Sequence, residues 1–255
     1  MQDISDIIAF SRELTWDDLP LRVRDHTKLC LLDLIGVAAG GAKTKLSKIA
    51  CDYAALDMSG SIPMIFDGRE ASVAGVAMAG GMTIDALDGH DGFNPAKGHA
   101  GCGLFPALYG VAQDNKSISG QQFLLALTIG YELACRAAIA QHASVSDYHT
   151  SGAWVAVAIA GVASRMMELS LEQTKHAMGI AEYHGPRSQM MRCIDHPTML
   201  KDGSGWGAMC GVSAARMAKA GFTGAPALIL QTEHWHDLGE NWLITQQYFK
   251  PYPVC

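Results

Sequence analysis

The stretch Gly152-Ala-Trp-Val-Ala-Val-Ala-Ile-Ala-Gly-Val-Ala163 is the longest uninterrupted apolar run in the chain. It is too short to cross a bilayer, which takes about 20 residues. We therefore predict a helix over Ser151–Leu169 that is buried inside a protein core. The chain has 27 glycines and 13 methionines against only 7% aromatic residues, which indicates helices that pack closely through small side chains.

Helix signals continue on both sides of this run. Two segments match the capping box, in which a serine precedes the helix and a glutamine follows three residues later. They are Ser119-Gly-Gln-Gln122 and Ser170-Leu-Glu-Gln173. They predict helices over Gln121–Ala140 and Leu171–Ile180.

Towards the N-terminus, Thr15-Trp-Asp-Asp18 supplies a cap and first-turn acids, and Pro20 fits the start of a helix that includes Val23–Val37. Strand signals are weak. Pro63-Met-Ile-Phe66 is the best strand candidate, and the glutamine-rich segment Trp242–Tyr248 is an ambiguous second one. Three further helices are predicted, over Ala71–Leu87, Gly103–Gln113 and Gly205–Ala220.

The fold class is therefore mainly α, with one Gly/Ala-rich core. No period of 20–50 residues repeats, which argues against a solenoid. The 255 residues include 25 acidic and 19 basic side chains, a formal charge of −6, with 49% hydrophobic and 17% charged residues. This balance excludes a disordered chain and argues against a nucleic-acid partner.

The seven cysteines are scattered without a CxxC pair, which is typical of reduced thiols. The first residues are acidic and polar, unlike a signal peptide. We therefore expect a soluble, cytoplasmic protein that has no membrane partner.

The first polar break in the helical pattern reads Asp85-Ala-Leu-Asp-Gly-His-Asp-Gly-Phe-Asn-Pro-Ala-Lys-Gly-His99. A Gly/Pro-rich loop before a helix offers free N–H groups to an anion, and a carboxylate beside an imidazole can move a proton near neutral pH. A solvated loop whose histidines cap helices fits the residue types equally well. The candidate residues in this break are Asp88, His90, Asp91, Lys97 and His99.

Two further breaks carry ionisable residues. In Asp147-Tyr-His-Thr-Ser-Gly152, Tyr148 or His149 could act as acid or base, although a plain capping turn is slightly favoured. The next break leads into Asp202-Gly-Ser-Gly205 and suits a carboxylate or phosphate, with a solvated charged loop as the equal alternative. Its basic residues are His184, Arg187, Arg192, His196 and Lys201.

Signatures of metal or nucleotide chemistry are weak. His234-Trp-His236 has a ligand-like spacing, but a lone HxH is poor evidence for zinc. The glycines form neither a Walker A nor a Rossmann fingerprint, and HExxH and GxSxG are missing. We expect no metal and no organic cofactor.

Several segments resemble, in the same order, those of one protein family. They are Leu32-Asp-Leu-Ile-Gly-Val-Ala-Ala-Gly40, the Asp88–Gly101 loop, Gly130-Tyr-Glu132, the His149 turn, Met178-Gly-Ile-Ala181, Gly221-Phe-Thr-Gly-Ala-Pro226 and Phe249-Lys-Pro-Tyr-Pro-Val-Cys255. The family is MmgE/PrpD, which includes 2-methylcitrate dehydratase, cis-aconitate decarboxylase and iminodisuccinate epimerase. The chain departs from its usual pattern at Ala100, Phe93 and His90, which leaves the substrate open.

The resemblance implies an all-α domain joined to a smaller α+β domain, with the active site in the cleft between them. It also implies a homodimer that needs no metal or organic cofactor. We expect residues 1–240 to form the all-α domain and residues 241–255 to start the crossover into a second domain that this chain lacks. The residues that match the family's catalytic positions are Asp91, His99, His149, Lys201 and Lys250.

The expected activity is that of a lyase or isomerase that moves a proton next to a carboxylate of a small di- or tricarboxylate. His99 and His149 would exchange protons, Asp91 would orient His99, and Lys201 and Lys250 would hold carboxylates. The candidate substrate-binding residues are His90, Lys97, Tyr148, Arg187 and Arg192.

Two alternatives stay open at this point. The chain could be the helical half of a split or truncated enzyme, inactive until it meets a separate chain with the C-terminal domain. A His/Asp metallohydrolase is the third hypothesis, and it predicts bound zinc or manganese.

Overall fold

The computed structural model describes residues 4–235 and 242–249, and helices make up most of them. This confirms the mainly α class. The α-helices of the described residues are α1 Ile4–Glu13, α2 Leu21–Gly41, α3 Lys45–Asp57, α4 Val73–Asp85, α5 Gly101–Asp114, α6 Gly120–Ser144, α7 Gly152–Met166, α8 Leu171–His184, α9 Met191–Asp195 and α10 Ser204–Lys219. Short 3-10 helices lie at Trp16–Asp18, Asn94–Ala96, Leu228–Gln231, Glu233–Trp235 and Leu243–Gln246.

Helix α7 is the centre of the fold, as the apolar run predicts. All of its residues except Arg165 are buried, and it packs against α5, α6, α8 and α10. Helix α6 is long and apolar enough to cross a membrane, but 78% of its most apolar window is buried inside the domain. Both helices therefore serve as core elements around which the polar loops are arranged.

Both predicted capping boxes are present. At α6, Ser119 Oγ accepts from Gln122 N at 3.2 Å while Gln122 Oε1 accepts from Ser119 N at 2.8 Å. Ser170 and Gln173 repeat the arrangement at α8. The Thr15–Asp18 signal caps only the 3-10 turn Trp16–Asp18, and α2 begins separately after Pro20. Helices α1, α3 and α9 were not among the predicted ones.

The strand predicted at 63–66 is wrong in its extent, and the one predicted at 242–248 is wrong in its type of secondary structure. Of the first segment, 63–66, only Pro63 belongs to a strand, β1 at Ile62–Pro63, which pairs antiparallel with β2 at Glu70–Ala71. The chain turns at once after Met64, with Phe66 at a φ of +57°. Within Trp242–Tyr248, a 3-10 helix replaces the strand, because the buried Glu132 carboxylate accepts from Ile244 N at 2.9 Å and favours a local turn.

Candidate active site

The loop that joins α4 to α5, residues 86–100 and called here the histidine loop, is folded inward. Its His90, Asp91 and His99 side chains are buried, so it is not the solvated turn that the residue types also allowed. The rings of His90 and His99 lie 4.2 Å apart between centroids. Asp85, at the end of α4, places a carboxylate oxygen 3.8 Å from His90 Nε2.

Main-chain pairing fixes the shape of the histidine loop. Gly92 and Tyr248 exchange two main-chain hydrogen bonds of 3.0 and 2.9 Å, and Phe93 N donates to Gly98 O at 3.0 Å. A Cβ at position 92 would lie 2.7 Å from the Tyr248 ring, so this approach requires glycine. The loop is thus held against the segment at 242–249, immediately before Lys250, which lies outside the described residues.

His99 is placed and charged by its neighbours. Its Nδ1 lies 2.7 Å from the main-chain oxygen of Asp91, and its Nε2 lies 3.5 Å from the Asp88 carboxylate. Burial by itself would lower the pKa of His99. The hydrogen bonds from Asp88 and the Asp91 carbonyl, with the charges of Asp202 and Asp85, outweigh burial and raise the pKa to about 9. His99 therefore carries its proton at neutral pH.

The Asp91 carboxyl is buried and only partly bonded. Tyr131 donates its hydroxyl proton to Asp91 Oδ2 at 2.8 Å, and Oδ1 has no hydrogen-bond partner among the described residues. Burial raises the pKa of Asp91 to about 7, against the opposing Tyr131 hydrogen bond. A Cβ on Gly101 would lie 2.1 Å from the Tyr131 oxygen, so glycine is required there as well. Asp91 orients His99 through its carbonyl, whereas its carboxyl binds Tyr131.

Ser151 joins the histidine loop to two other segments. Its Oγ accepts from His99 N at 3.1 Å and donates to Asp202 Oδ2 at 2.6 Å. The Asp202 carbonyl in turn accepts from Gly152 N at 3.0 Å. The start of α7 and the start of α10 are thereby fixed next to His99.

His149 and Tyr148 lie on the turn that precedes α7. The His149 side chain is 8% exposed, and its Nδ1 has no hydrogen-bond partner in the described part of the chain. Tyr148 donates its hydroxyl proton to the Lys97 carbonyl, and Lys97 Nζ lies 5.7 Å from the Tyr148 ring centroid. Burial is the main cause that raises the pKa of Tyr148 to about 12. The structure thus brings Tyr148 and Lys97 together, and their role in substrate binding stays a prediction.

A cavity of about 890 Å³ opens beside this cluster. Asp85 and Thr150 line it on the side of the cluster. Part of residues 185–203, called here the cation loop, also lines the cavity and contributes Arg192 and Lys201. The charge of Lys201 also reaches Asp85, where it opposes the rise in that carboxyl's pKa.

One of the predicted substrate-binding residues, Arg187, does not lie at this cavity. Arg187 is exposed and lies outside the cavity lining. Its charge acts instead on Glu182 of α8, where burial raises the carboxyl pKa and Arg187 opposes the rise.

One cluster of metal-ligand type occurs among the described residues. Atoms of Asp85, His90 and Cys102 lie within 4.8 Å of one another, a donor set that zinc accepts. The Cys102 thiol, however, donates to Ser204 Oγ at 3.1 Å, and burial raises its pKa well above the usual value. His236, the second histidine of the HxH spacing, lies outside the described residues.

Sequence reasoning missed four residues that build this cluster: Asp85, Tyr131, Ser151 and Asp202. Each lies inside a segment that drew attention for another reason. Tyr131, for example, is the central residue of Gly130-Tyr-Glu132. The roles of Tyr131, Ser151 and Asp202 depend on partners 40 to 52 positions away along the chain, which no local pattern shows.

The chain is thus a helical domain in which a buried loop with two histidines lies close to a cavity that two cations line. The family model of the MmgE/PrpD N-terminal domain matches residues 5–241, and the chain belongs to the MmgE/PrpD family. A cis-aconitate decarboxylase-like protein, oryM, from Aspergillus oryzae is 29% identical over 182 residues, which are 66% of this chain and 37% of that protein. A cis-aconitate decarboxylase from Aspergillus terreus is 27% identical over 188 residues, 69% of this chain and 38% of that protein. The match thus spans less than two fifths of each relative.

Proposed function

We propose that this chain carries the proton-transfer site of a cofactor-independent lyase that acts on a small di- or tricarboxylate. The observation that carries the proposal is the setting of His99, which is buried with its Nδ1 2.7 Å from the Asp91 carbonyl oxygen and its Nε2 3.5 Å from the Asp88 carboxylate. Its surroundings raise the pKa of this imidazole to about 9, which suits a proton donor near neutral pH. Asp85, whose charge acts on His99, lines a cavity that Arg192 and Lys201 also line.

A decarboxylation of the cis-aconitate type fits this donor best. The bond between a carbon and its carboxylate breaks, CO2 leaves, and the released electron pair shifts the double bond. A proton must then reach the carbon at the far end of the shifted system, and His99 supplies it. Lys201 and Arg192 hold the carboxylates that stay, and the names of the two relatives support the choice of this reaction.

Dehydration and epimerisation would require His149 as a base in addition to His99 as the acid. Both begin with removal of a proton next to a carboxylate, so a base must act together with the acid. Besides His90, His149 is a buried histidine close to the network: Ser151, two residues further along the chain, accepts a hydrogen bond from the main-chain N–H of His99. The three reactions therefore share the donor His99 and differ in the need for His149.

A second candidate function is that of a helical half-enzyme that works only with a partner domain. The short span of the match in each relative favours it. In that case the cavity would be closed by a separate polypeptide. Homodimerisation is proposed from the family resemblance, and a cytoplasmic location from the scattered cysteines without a CxxC pair.

The test is an NMR assay in D2O with ¹³C-labelled cis-aconitate, 2-methylcitrate and iminodisuccinate. We expect labelled CO2 from cis-aconitate together with one deuterium in the product. Loss of water or bare deuterium exchange would assign the chain to dehydration or epimerisation instead. Turnover that appears only after addition of a second-domain polypeptide from the A. terreus relative identifies the half-enzyme. No turnover of any substrate under either condition contradicts the proposal.

A further inference from the structure

Three buried side chains of metal-ligand type converge where the histidine loop meets α4 and α5. Asp85 ends α4, His90 belongs to the loop, and Cys102 lies in the first turn of α5. All three are at most 3% exposed, and one ligand atom of each lies within 4.8 Å of those of the other two. A carboxylate, an imidazole and a thiol are thus gathered at one point of the core.

The distances between these atoms are close to those of a tetrahedral zinc site. Zinc binds carboxylate oxygen and imidazole nitrogen at about 2.0–2.2 Å and thiolate sulfur at about 2.3 Å, which places neighbouring ligand atoms about 3.4–3.6 Å apart. Asp85 Oδ1 lies 3.8 Å from His90 Nε2. Since no pair of the three ligand atoms is wider than 4.8 Å, small side-chain rotations bring all three onto one ion.

The surrounding charges favour a divalent cation. Buried charges are paired with one another or bind a metal. The charges of two carboxylates reach Asp85, and those of two cations oppose them there. Once the thiol has ionised, four negative groups face two positive ones, and a divalent ion balances the difference. The negative groups are Asp85, Asp88, Asp202 and the Cys102 thiolate, and the positive ones are His99 and Lys201.

The ion and its fourth ligand have a route from the cavity. Asp85 and Ser204 line the cavity, and the Cys102 thiol donates to Ser204 Oγ at 3.1 Å. When zinc displaces the thiol proton to solvent, a sulfur–zinc bond forms and the Ser204 hydroxyl turns to donate to the sulfur. Three protein ligands with water from the cavity as the fourth complete a zinc coordination shell.

We propose that Asp85, His90 and Cys102 form a zinc site that holds the histidine loop against α4 and α5. Thiolate and imidazole ligands select zinc over magnesium and calcium, which prefer oxygen ligands. His90 is a position at which the chain departs from the usual pattern of its family, so that pattern does not supply this site. No step of the proposed lyase reaction passes through the ion, and zinc binding does not depend on that reaction.

The experiment is equilibrium dialysis of the full chain, stripped with EDTA and kept reduced, against zinc and against magnesium. We expect one zinc ion per chain and no retained magnesium. Cobalt(II) provides a second readout, because a thiolate ligand gives cobalt an intense charge-transfer absorption in the near ultraviolet that oxygen and nitrogen ligands do not give. Zinc should also raise the midpoint of thermal unfolding, since it binds the folded state.

Two cysteine variants localise the ion. Cys102→Ser should abolish the cobalt charge-transfer absorption and weaken zinc binding at least about 100-fold, because even the outer partners of metal ligands are worth about 10–100-fold. Cys51→Ser is the matched control, since Cys51 is also buried and lies outside the cluster. Ser204→Ala keeps the thiol and removes the hydroxyl beside it, so zinc binding should weaken about tenfold even if Cys102→Ser fails to fold.

Zinc binding no tighter than magnesium binding would overturn the proposal, and so would cobalt binding without the charge-transfer absorption. His234→Gln tests the competing HxH spacing at 234–236. We expect this variant to bind zinc normally. Loss of zinc in His234→Gln, with normal binding in Cys102→Ser, would place the ion at the HxH spacing and overturn the proposal as well.

Discussion

The histidine loop and the cation loop have similar compositions but differ in how deeply their ionisable side chains are buried. Both are polar and contain glycine, proline and histidine. The first buries His90, Asp91 and His99, whereas the second leaves Arg192 and Lys201 exposed. The same residue types are therefore buried in one loop and exposed in the other, according to what surrounds them.

The partners of each loop explain the difference. The histidine loop is held by side chains of distant helices, since Asp33 of α2 accepts from Asp91 N at 2.8 Å and Tyr131 of α6 binds its carboxyl. The cation loop is held by main-chain bonds to the turn before α7, such as Met190 N to Tyr148 O at 2.8 Å. Enclosure shifts pKa values, so the first loop is suited to proton transfer and the second to holding anions.

The largest expected effect is on the histidine loop. His99→Gln keeps a polar side chain of similar size but removes the proton donor, so kcat should fall by roughly 10²–10⁴. The measurement is CO2 release from cis-aconitate, by the chain alone or with the second-domain polypeptide added, whichever of the two conditions shows turnover. His184→Gln, at the exposed end of α8, is the control and should keep normal activity. If His99→Gln kept more than about a tenth of kcat, His99 would not be the proton donor, and the proposed difference in role between the two loops would be wrong.

The next effect is on the pH dependence of stability. Asp91 binds a proton in the folded state up to a pKa of about 7, but loses it near 3.9 when unfolded. Between pH 4 and 7 the folded state thus holds more protons, and the free energy of unfolding falls as pH rises, by up to about 1.4 kcal/mol per pH unit. Asp85 acts with the same sign, and His99 extends the fall from 6.5 towards 9.

Urea unfolding at a series of pH values measures this slope. Asp91→Asn should remove about a third of it between pH 4 and 7, because Asp85 and Glu132, whose carboxyl pKa values burial also raises to about 7, supply the rest. Asp57→Asn, on the exposed end of α3, should leave the slope unchanged. A stability that is constant over this range would show that these carboxyls titrate as in water.

The smallest expected effect is on the cation loop. Lys201→Met should raise KM about tenfold and change kcat little, since an exposed charge mainly holds the substrate. Steady-state kinetics separate the two constants, and Lys219→Met at the end of α10 is the matched control. A fall in kcat with unchanged KM would place Lys201 in the proton transfer and make the two loops alike.

Part of the fold was predictable from short-range signals. The Ser119 and Ser170 capping boxes determine where α6 and α8 begin, and the apolar run determines α7. The strand prediction at 63–66 failed because a turn at Phe66 overrides the strand preference of those residues. The prediction at 242–248 failed because Glu132, 112 residues before Ile244, binds its main chain.

For the site, the composition of the polar breaks and the family resemblance gave Asp91, His99, His149 and Lys201 as candidates, and their roles stay predictions. Tyr131 and Asp202 escaped because their significance lies in a hydrogen bond to a residue of another loop or helix. The assignment of Lys250 stays a prediction.

The sequence by itself determined the helical class, the buried central helix and the loops that carry chemistry. These depend on interactions between near neighbours, such as caps and apolar periodicity. Only the tertiary structure decided that His99 is protonated, that Asp91 holds it through a carbonyl, and that Arg192 faces the cavity while Arg187 does not. Burial and charge act through space, so they appear only when distant segments are brought together.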